Sequence, residues 1–466
     1  MSLADLSRWQ FAFTVMFHMT FPAITVGLSI FLSIIYAAYW RTKKPVFLQM
    51  FRFWRRIFAV GFALGVVAGA VITFQMGLNW GVFGAKTGPI IGPIIGMEVV
   101  TAFFVEAGFI GIMLYGDGRV RHVTMFASTV MVAIGTILSS TWIIAANSWM
   151  QTPTGYTMQN GQFVPSDWFS AIFNPSFIWR YPHLLLAVLI SAAFFIAGIA
   201  AYYLVKKRAL GFAKRSLSIA LGVAAILLPL QIFVGDNTAV NVTVPYQLPK
   251  LEAWEGNWTS TNSGYNIFVI PDQAAGKNLV QVTVPWLGSA FGAKDLSGNA
   301  KTPGLLLTPA NQRPDMAATF WGFRAMFYGS ILMFIAAFGS IILRLRRRLY
   351  TARWFHKYLL WTTPIGIIAI LGGWTVSEAG RQPWIVFGQL TTAQGVSKLA
   401  PGEVVFSVIG FMAIYLALLV AYIVYIVRQV KAGPERDDPA LDPGTAPEFT
   451  PLPGDITNPM EGALAR

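Results

Sequence analysis

Apolar residues run along this chain in long blocks, without the short alternation that marks half-buried surface elements. Residues 9–40 contain no Asp, Glu, Lys or Arg, and neither do residues 57–83. Residues 90–115 are equally apolar except for Glu98 and Glu106. Further blocks cover 123–146, 184–205 and 216–235. After a polar stretch, about 236–315, come 320–343 (with Arg324 inside), 358–376 and 404–427. A helix needs about 20 apolar residues to cross a bilayer. The pattern therefore predicts an all-α integral membrane protein of nine transmembrane helices. Residues 1–235 carry helices 1 to 6, 236–316 a polar loop and 317–430 helices 7 to 9. Residues 431–466, rich in Pro, Gly and acid, read as a disordered tail.

Charge sets the expected orientation. One set of connections carries Arg41, Lys43, Lys44, Arg52, Arg55 and Arg56, then Arg119 and Arg121, then Lys206, Lys207, Arg208, Lys214 and Arg215. The same set continues with Arg344, Arg346, Arg347, Arg348 and Arg353, then Arg428 and Lys431. The alternate set holds little beyond Arg8, Lys86, Arg180, Arg381 and Lys398. By the positive-inside rule the N-terminus lies outside, the C-terminus is cytoplasmic and the polar loop is extracytoplasmic.

The chain of 466 residues is 55% hydrophobic and 12% charged, against roughly 45–50% and 25% in soluble domains. That excludes a soluble enzyme and a disordered chain. The net charge of +14 is spread over short clusters between spans, so no nucleic-acid partner is implied. The absence of cysteine excludes disulfides, iron–sulfur clusters and covalent c-type haem. There is no Walker loop, dinucleotide fingerprint or internal repeat. The first apolar block is too long for a cleavable signal.

Ionisable groups inside apolar spans are costly and mark functional sites by default. Of four histidines, His122 and His356 adjoin basic clusters and read as interfacial. His18 lies about two turns into helix 1, and His183 opens helix 5. Glu98 and Glu106 are eight residues apart in helix 3, about 12 Å of rise at 1.5 Å per residue. They are placed to line one side of an internal path. Arg324 and Met326 start helix 7, and Glu378 and Arg381 follow helix 8. Topology puts His18, Glu98, His183, Arg324, Met326, Glu378 and Arg381 in one half of the membrane, with Glu106 deeper. Two His, a Met and carboxylates at one level suit iron, and His/Met is a known axial pair for an electron-transferring haem.

Ordered motifs carry a family resemblance. They are LSRWQFAF (6–13) leading to His18, GLNW (77–80), Glu98 and Glu106 around AFF (102–104), ANSWMQ (146–151), His183, FRAM (323–326) and WTVSEAGRQPW (374–384). Together they resemble subunit I of the cytochrome bd-type quinol oxidases, the cyanide-insensitive branch included, across all nine helices. The resemblance implies that His183 and Met326 ligate a low-spin haem b, supported by Arg324. His18 and Glu378 would ligate the two remaining haems, a high-spin b and haem d, or haem b in its place. Glu98 and Glu106 would serve the oxygen-reducing centre and its proton path. Trp374 would lie between haems, with Arg8 and Arg381 as propionate partners.

The stretch KLEAWEGNW (250–258) resembles the family's quinol loop in its short form, making Lys250 and Glu255 the quinol candidates. The implied activity is quinol oxidation at the outer face and reduction of O2 to water with cytoplasmic protons. Proton-motive force then arises without pumping. The implied partners are a second subunit (cytochrome bd subunit II), membrane quinol and the lipid bilayer, with room for a small single-helix subunit. The implied location is a bacterial or archaeal cytoplasmic membrane. One alternative is a haem-free proton-coupled transporter using Glu98 and Glu106 as a relay. Another is a haem protein that senses oxygen without oxidising quinol, which the presence of Lys250 and Glu255 argues against.

Overall fold

The computed structural model describes residues 2–262, 264–291, 294–297 and 299–434. Among these residues, nine helices are long and apolar enough to cross a membrane. They are α1 Leu3–Thr42, α2 Pro45–Leu78, α3 Gly81–Tyr115, α4 His122–Gln151 and α5 Pro175–Lys206. They continue with α6 Leu210–Tyr246, α7 Met316–Leu345, α8 Arg353–Ala379 and α9 Pro401–Ala432. The nine-span, all-α architecture expected from hydropathy is the one observed. The expected tail from 435 onward lies outside the described residues; Lys431 still belongs to α9.

The spans run alternately, so one end of the bundle gathers the polar connections (the loop end) and the other gathers the arginine and lysine clusters (the basic end). α5 is the most buried span, with 72% of its apolar window inside the protein, and α9 the least, with 11%. α5 packs along α6 and α1, and α7 packs along α8. Small residues allow the closest approach: a Cβ at Gly322 of α7 would come within 2.9 Å of the Gly372 carbonyl of α8. In a bilayer such contacts carry much of helix association. Nearer the basic end, Phe53 and Trp54 of α2 meet Phe212 of α6, with Phe53–Phe212 centroids 5.1 Å apart.

Several spans depart from a regular helix, and most of the departures fall beside candidate residues. α1 breaks at Phe21, where Pro22 has no N–H to continue the ladder, three residues after His18. α3 contains Pro89 and Pro93 and a π-helical turn, Val99–Phe103, between Glu98 and Glu106. α5 holds Pro182 next to His183. α8 is interrupted at 362–364 ahead of Ile365.

The polar loop begins later than its sequence suggests. α6 continues through Asp236, Pro245 included, by way of a second π turn, Ala239–Thr243. Asn237 and Asn241 return their amides to the carbonyls of Phe233 and Asn237. Their polarity is thus absorbed inside the helix, and the drop in hydropathy does not end it. The loop then forms a short helix, Leu248–Glu255, closed by Gly256 at φ +73°. A hairpin follows, Tyr265–Asp272 against Lys277–Val284, irregular between Asn266 and Phe268.

Candidate functional site

Glu98 and Glu106 face α4 together. Eight residues of regular α-helix would turn them about 80° apart. The π turn between them absorbs about one extra residue, which brings the offset down to roughly 20°. The contacts agree. Ser139 of α4 donates to Glu98 Oε1 at 2.7 Å. One turn away, a Cβ at Gly135 would clash with Glu106 Cγ. Glu106 is buried. The two carboxylates therefore line one seam between α3 and α4.

Each of the three candidate iron-ligating His and Met side chains lies against a glycine. A Cβ at Gly69 of α2 would stand 3.2 Å from His18 Cε1, one at Gly235 of α6 2.9 Å from His183 Cε1, and one at Gly373 of α8 2.9 Å from Met326 Sδ. His18 Nδ1 lies 3.1 Å from the Gly65 carbonyl. A carbonyl only accepts, so Nδ1 carries the hydrogen and Nε2 keeps its lone pair for a ligand, the usual support for a metal-binding His. His183 Nδ1 is buried with no partner among the described residues.

Glu378 sits in a buried polar network at the loop end. Its Oε1 accepts from Asn147 at 3.0 Å and from Gln151 at 3.4 Å, and its Oε2 pairs with Arg381. Arg180 binds Asn147 Oδ1 at 2.7 Å, Ser148 Oγ at 3.1 Å and Ser377 Oγ at 2.6 Å. Lys250 enters the same network from the loop helix. Its Nζ lies 2.7 Å from Gln151 Oε1 and also bonds Gln247. Burial holds the Lys250 amine well below the usual lysine range, with Arg180 and Arg381 adding to the effect and Glu378 opposing it.

Glu255 points to α7 instead. Its Oε1 accepts from Trp254 Nε1 at 2.9 Å, and Trp254 stacks on Phe323 at 5.0 Å. Burial pushes the Glu255 carboxyl up, against the pull of Arg324. Arg324 is fully buried. It donates to the Asn266 carbonyl through Nε at 2.9 Å and Nη2 at 2.5 Å, with its guanidinium over Phe320 and Tyr265. The Asn266 side chain in turn donates to the Glu255 carbonyl at 2.9 Å. Lys250 and Glu255 thus leave one helix in different directions, toward α4 and toward α7.

A porphyrin supplies four ligands to its iron, so the protein need add only one or two. The described residues hold no cluster of three His, Cys, Asp or Glu, whereas His18, His183, Met326 and Glu378 offer single donors. Buried donors without partners accompany them: Arg324 Nη1, Arg381 Nε and Nη1, and Trp374 Nε1. Such orphans are rare unless a group with acceptor oxygens completes them. The set fits a haem with propionates. Arg8 stands apart, half-exposed at the α1 N-terminus and 3.6 Å from Asp5. His122 bonds Tyr36, and His356, which is buried, bonds the Leu349 carbonyl.

Sequence reasoning missed Arg180, Gln151, Gln247, Asn266 and Ser139 as working parts. Arg180 carried a signal, a lone charge three residues before His183. The neutral amides and hydroxyls carried none, because their importance lies in what they meet.

A match to the family described as cytochrome bd terminal oxidase subunit I covers residues 6–434. The chain is 32% identical to "Cytochrome bd ubiquinol oxidase subunit 1" of Bacillus subtilis, over 94% of this chain and 96% of that one. It is 30% identical to "Cytochrome bd-II ubiquinol oxidase subunit 1" of Escherichia coli, over 92% and 96%. Its fold is similar to that in the structure of bd oxidase from Geobacillus thermodenitrificans, with a TM-score of 0.82 at 28% identity, covering 92% of this chain and 99% of the other.

Proposed function

The chain belongs to the cytochrome bd terminal oxidase subunit I family, and from that premise we propose that it is the haem-bearing subunit of a quinol:oxygen oxidoreductase. The observation that carries this reading is the loop helix. It places Lys250 and Glu255, both buried, against the elements that hold Glu378 and Met326. In this reading His183 and Met326 hold a low-spin haem b. His18 and Glu378 hold the high-spin b and the haem d, or a haem b in its place. Bound there, the haems supply one-electron transfer from quinol and the reduction of oxygen to water.

The protein's own groups do the rest. Lys250 is a donor for a quinol oxygen. Glu255 accepts a proton from the quinol as it is oxidised, which suits a carboxyl whose burial favours the protonated form. Arg324 and Arg381 offer buried donors to propionates, and Trp374 fills space between cofactors. Arg8 serves at most a peripheral propionate. The Glu98–Glu106 seam carries protons toward the oxygen-reducing centre, with Ser139 as a hydroxyl on the same path.

The alternation of basic connections puts the loop end outside and the basic end in the cytoplasm. Protons released outside and consumed from inside make the reaction electrogenic without pumping. The membrane is a bacterial or archaeal cytoplasmic membrane. The exposed apolar faces of α9 and α3, Phe406 and Phe104 among them, suit lipid and a second subunit, cytochrome bd subunit II, with a small single-helix subunit as a further partner. The family match favours this reading over a haem-free transporter. Quinol-driven oxygen uptake by the purified complex tests it: uptake that stops when haem is absent is expected, and no uptake by assembled, haem-loaded protein contradicts it.

A further inference from the structure

At the basic end, the connection between α7 and α8 encloses a half-open cavity of about 510 Å³. Its walls include Arg346, Arg348 and Arg353, the hydroxyl-bearing Thr351, and the apolar Leu343 and Trp354. The three arginines are exposed and pair with no carboxylate among the described residues. The neighbouring Arg344 is already engaged, donating to Ser218 Oγ at 2.7 Å and to its carbonyl. Trp354 is 67% exposed and Leu345, the last residue of α7, 80%.

The need for positive charge at this end of the bundle explains arginines, but it does not explain why three of them surround one cavity. Like charges held together repel, and a bound anion relieves that repulsion. Guanidinium groups match phosphate oxygens in pairs. The cavity lies where two spans end, so it sits at the level of lipid headgroups, and its remaining walls are a leucine and an aromatic ring of the kind that settles at the membrane interface. An occupant with a phosphate at one end and hydrocarbon at the other satisfies both kinds of wall. A free inorganic phosphate satisfies only the arginines.

We propose that this cavity binds the phosphodiester headgroup of an anionic phospholipid, held by Arg346, Arg348 and Arg353, with its glycerol and upper acyl segments against Leu343 and Trp354. The site is separate from the candidate haem and quinol residues, which lie toward the loop end.

Native mass spectrometry of the detergent-purified complex, titrated with phosphatidylglycerol, phosphatidylcholine or inorganic phosphate, tests this. Phosphatidylglycerol is expected to be retained well above phosphatidylcholine, and phosphate not at all. A basic residue near an anionic headgroup contributes about fivefold in affinity. Arg346→Gln, Arg348→Gln and Arg353→Gln combined should therefore lower retention on the order of a hundredfold, with haem content unchanged. Arg41→Gln, Arg119→Gln and Arg121→Gln combined, the same charge change elsewhere at the basic end, should lower it far less. Equal losses from the two triple variants would mean a diffuse surface field and overturn the proposal. So would equal retention of phosphatidylglycerol and phosphatidylcholine by the unaltered complex, or phosphate binding as tightly as lipid. Tight phosphatidylglycerol retention by the complex only after removal of residues 435–466 would assign the cavity to that acidic segment instead.

Discussion

Lys250 and Gln151 meet at 2.7 Å, the lysine Nζ on the amide Oε1, and through this contact the loop helix Leu248–Glu255 is tied to the end of α4. The same amide oxygen accepts from Gln247 at 2.7 Å, and the Gln151 Nε2 reaches the Ser377 carbonyl at 3.2 Å. One neutral side chain thus joins the loop to the segment that carries Glu378.

Gln151→Leu leaves the buried Lys250 amine short of an acceptor, a loss of about 1–3 kcal/mol. Since the loss falls on loop docking, the KM for quinol should rise about tenfold or more while the low-spin haem b bands, which depend on His183 and Met326, stay as in the wild type. Steady-state oxygen uptake against quinol concentration checks this. An unchanged KM would mean that the contact does not position the loop.

Glu255→Gln should lower kcat by about 10²-fold or more, the usual scale for losing a proton acceptor, with haem content intact. Burial raises the Glu255 carboxyl, so the base form is lost as pH falls through a value above the ordinary carboxyl range. The acid limb of kcat/KM should therefore lie above that range and vanish in Glu255→Gln. The same shift makes the folded loop prefer the protonated form. Its contribution to docking is fully present below the unfolded carboxyl pKa and is lost as pH rises through the raised one. A pH profile unchanged in the variant would remove Glu255 from the reaction.

Asn266→Ala deletes the amide that donates to the Glu255 carbonyl but leaves the backbone carbonyl on which Arg324 rests. Quinol turnover should fall severalfold, with Met326-dependent haem absorbance unaffected. Loss of both together would mean that the hairpin as a whole has come away.

Gly235→Ala drives a methyl to 2.9 Å from the His183 ring. The change should perturb one haem b signal selectively, read as a shifted or diminished band in the reduced spectrum. Gly222→Ala, in the same span with open space around it, should leave all bands in place.

The spans were legible because hydrocarbon demands continuous apolar helix, and the blocks from 9–40 to 404–427 each became one. The end of α6 was not legible, because Asp236 and Asn237 mimic a loop in composition while their neighbours continue the helix. The Glu98–Glu106 pair was found by its charge, but its common face depends on the π turn at Val99–Phe103, which no periodicity in the sequence announces. Likewise Lys250 and Glu255 stood out as a spaced pair, yet the docked helix turns them to different spans. Tertiary contacts decide that divergence, and the amides of Gln151, Gln247 and Asn266 that fix it are silent in a list of charges.

The central claim is that His18, His183, Met326 and Glu378, each partly buried within the helix bundle, hold haem in a quinol oxidase. A dithionite-reduced minus oxidised absorption spectrum of the purified complex, compared between wild type and Met326→Leu, tests it most directly. The account predicts haem b bands in the wild type, with a far-red band where haem d fills the oxygen site, and selective loss or shift of the low-spin b signal in the variant. Fully assembled protein with no haem bands, or a Met326→Leu spectrum identical to wild type, would contradict it.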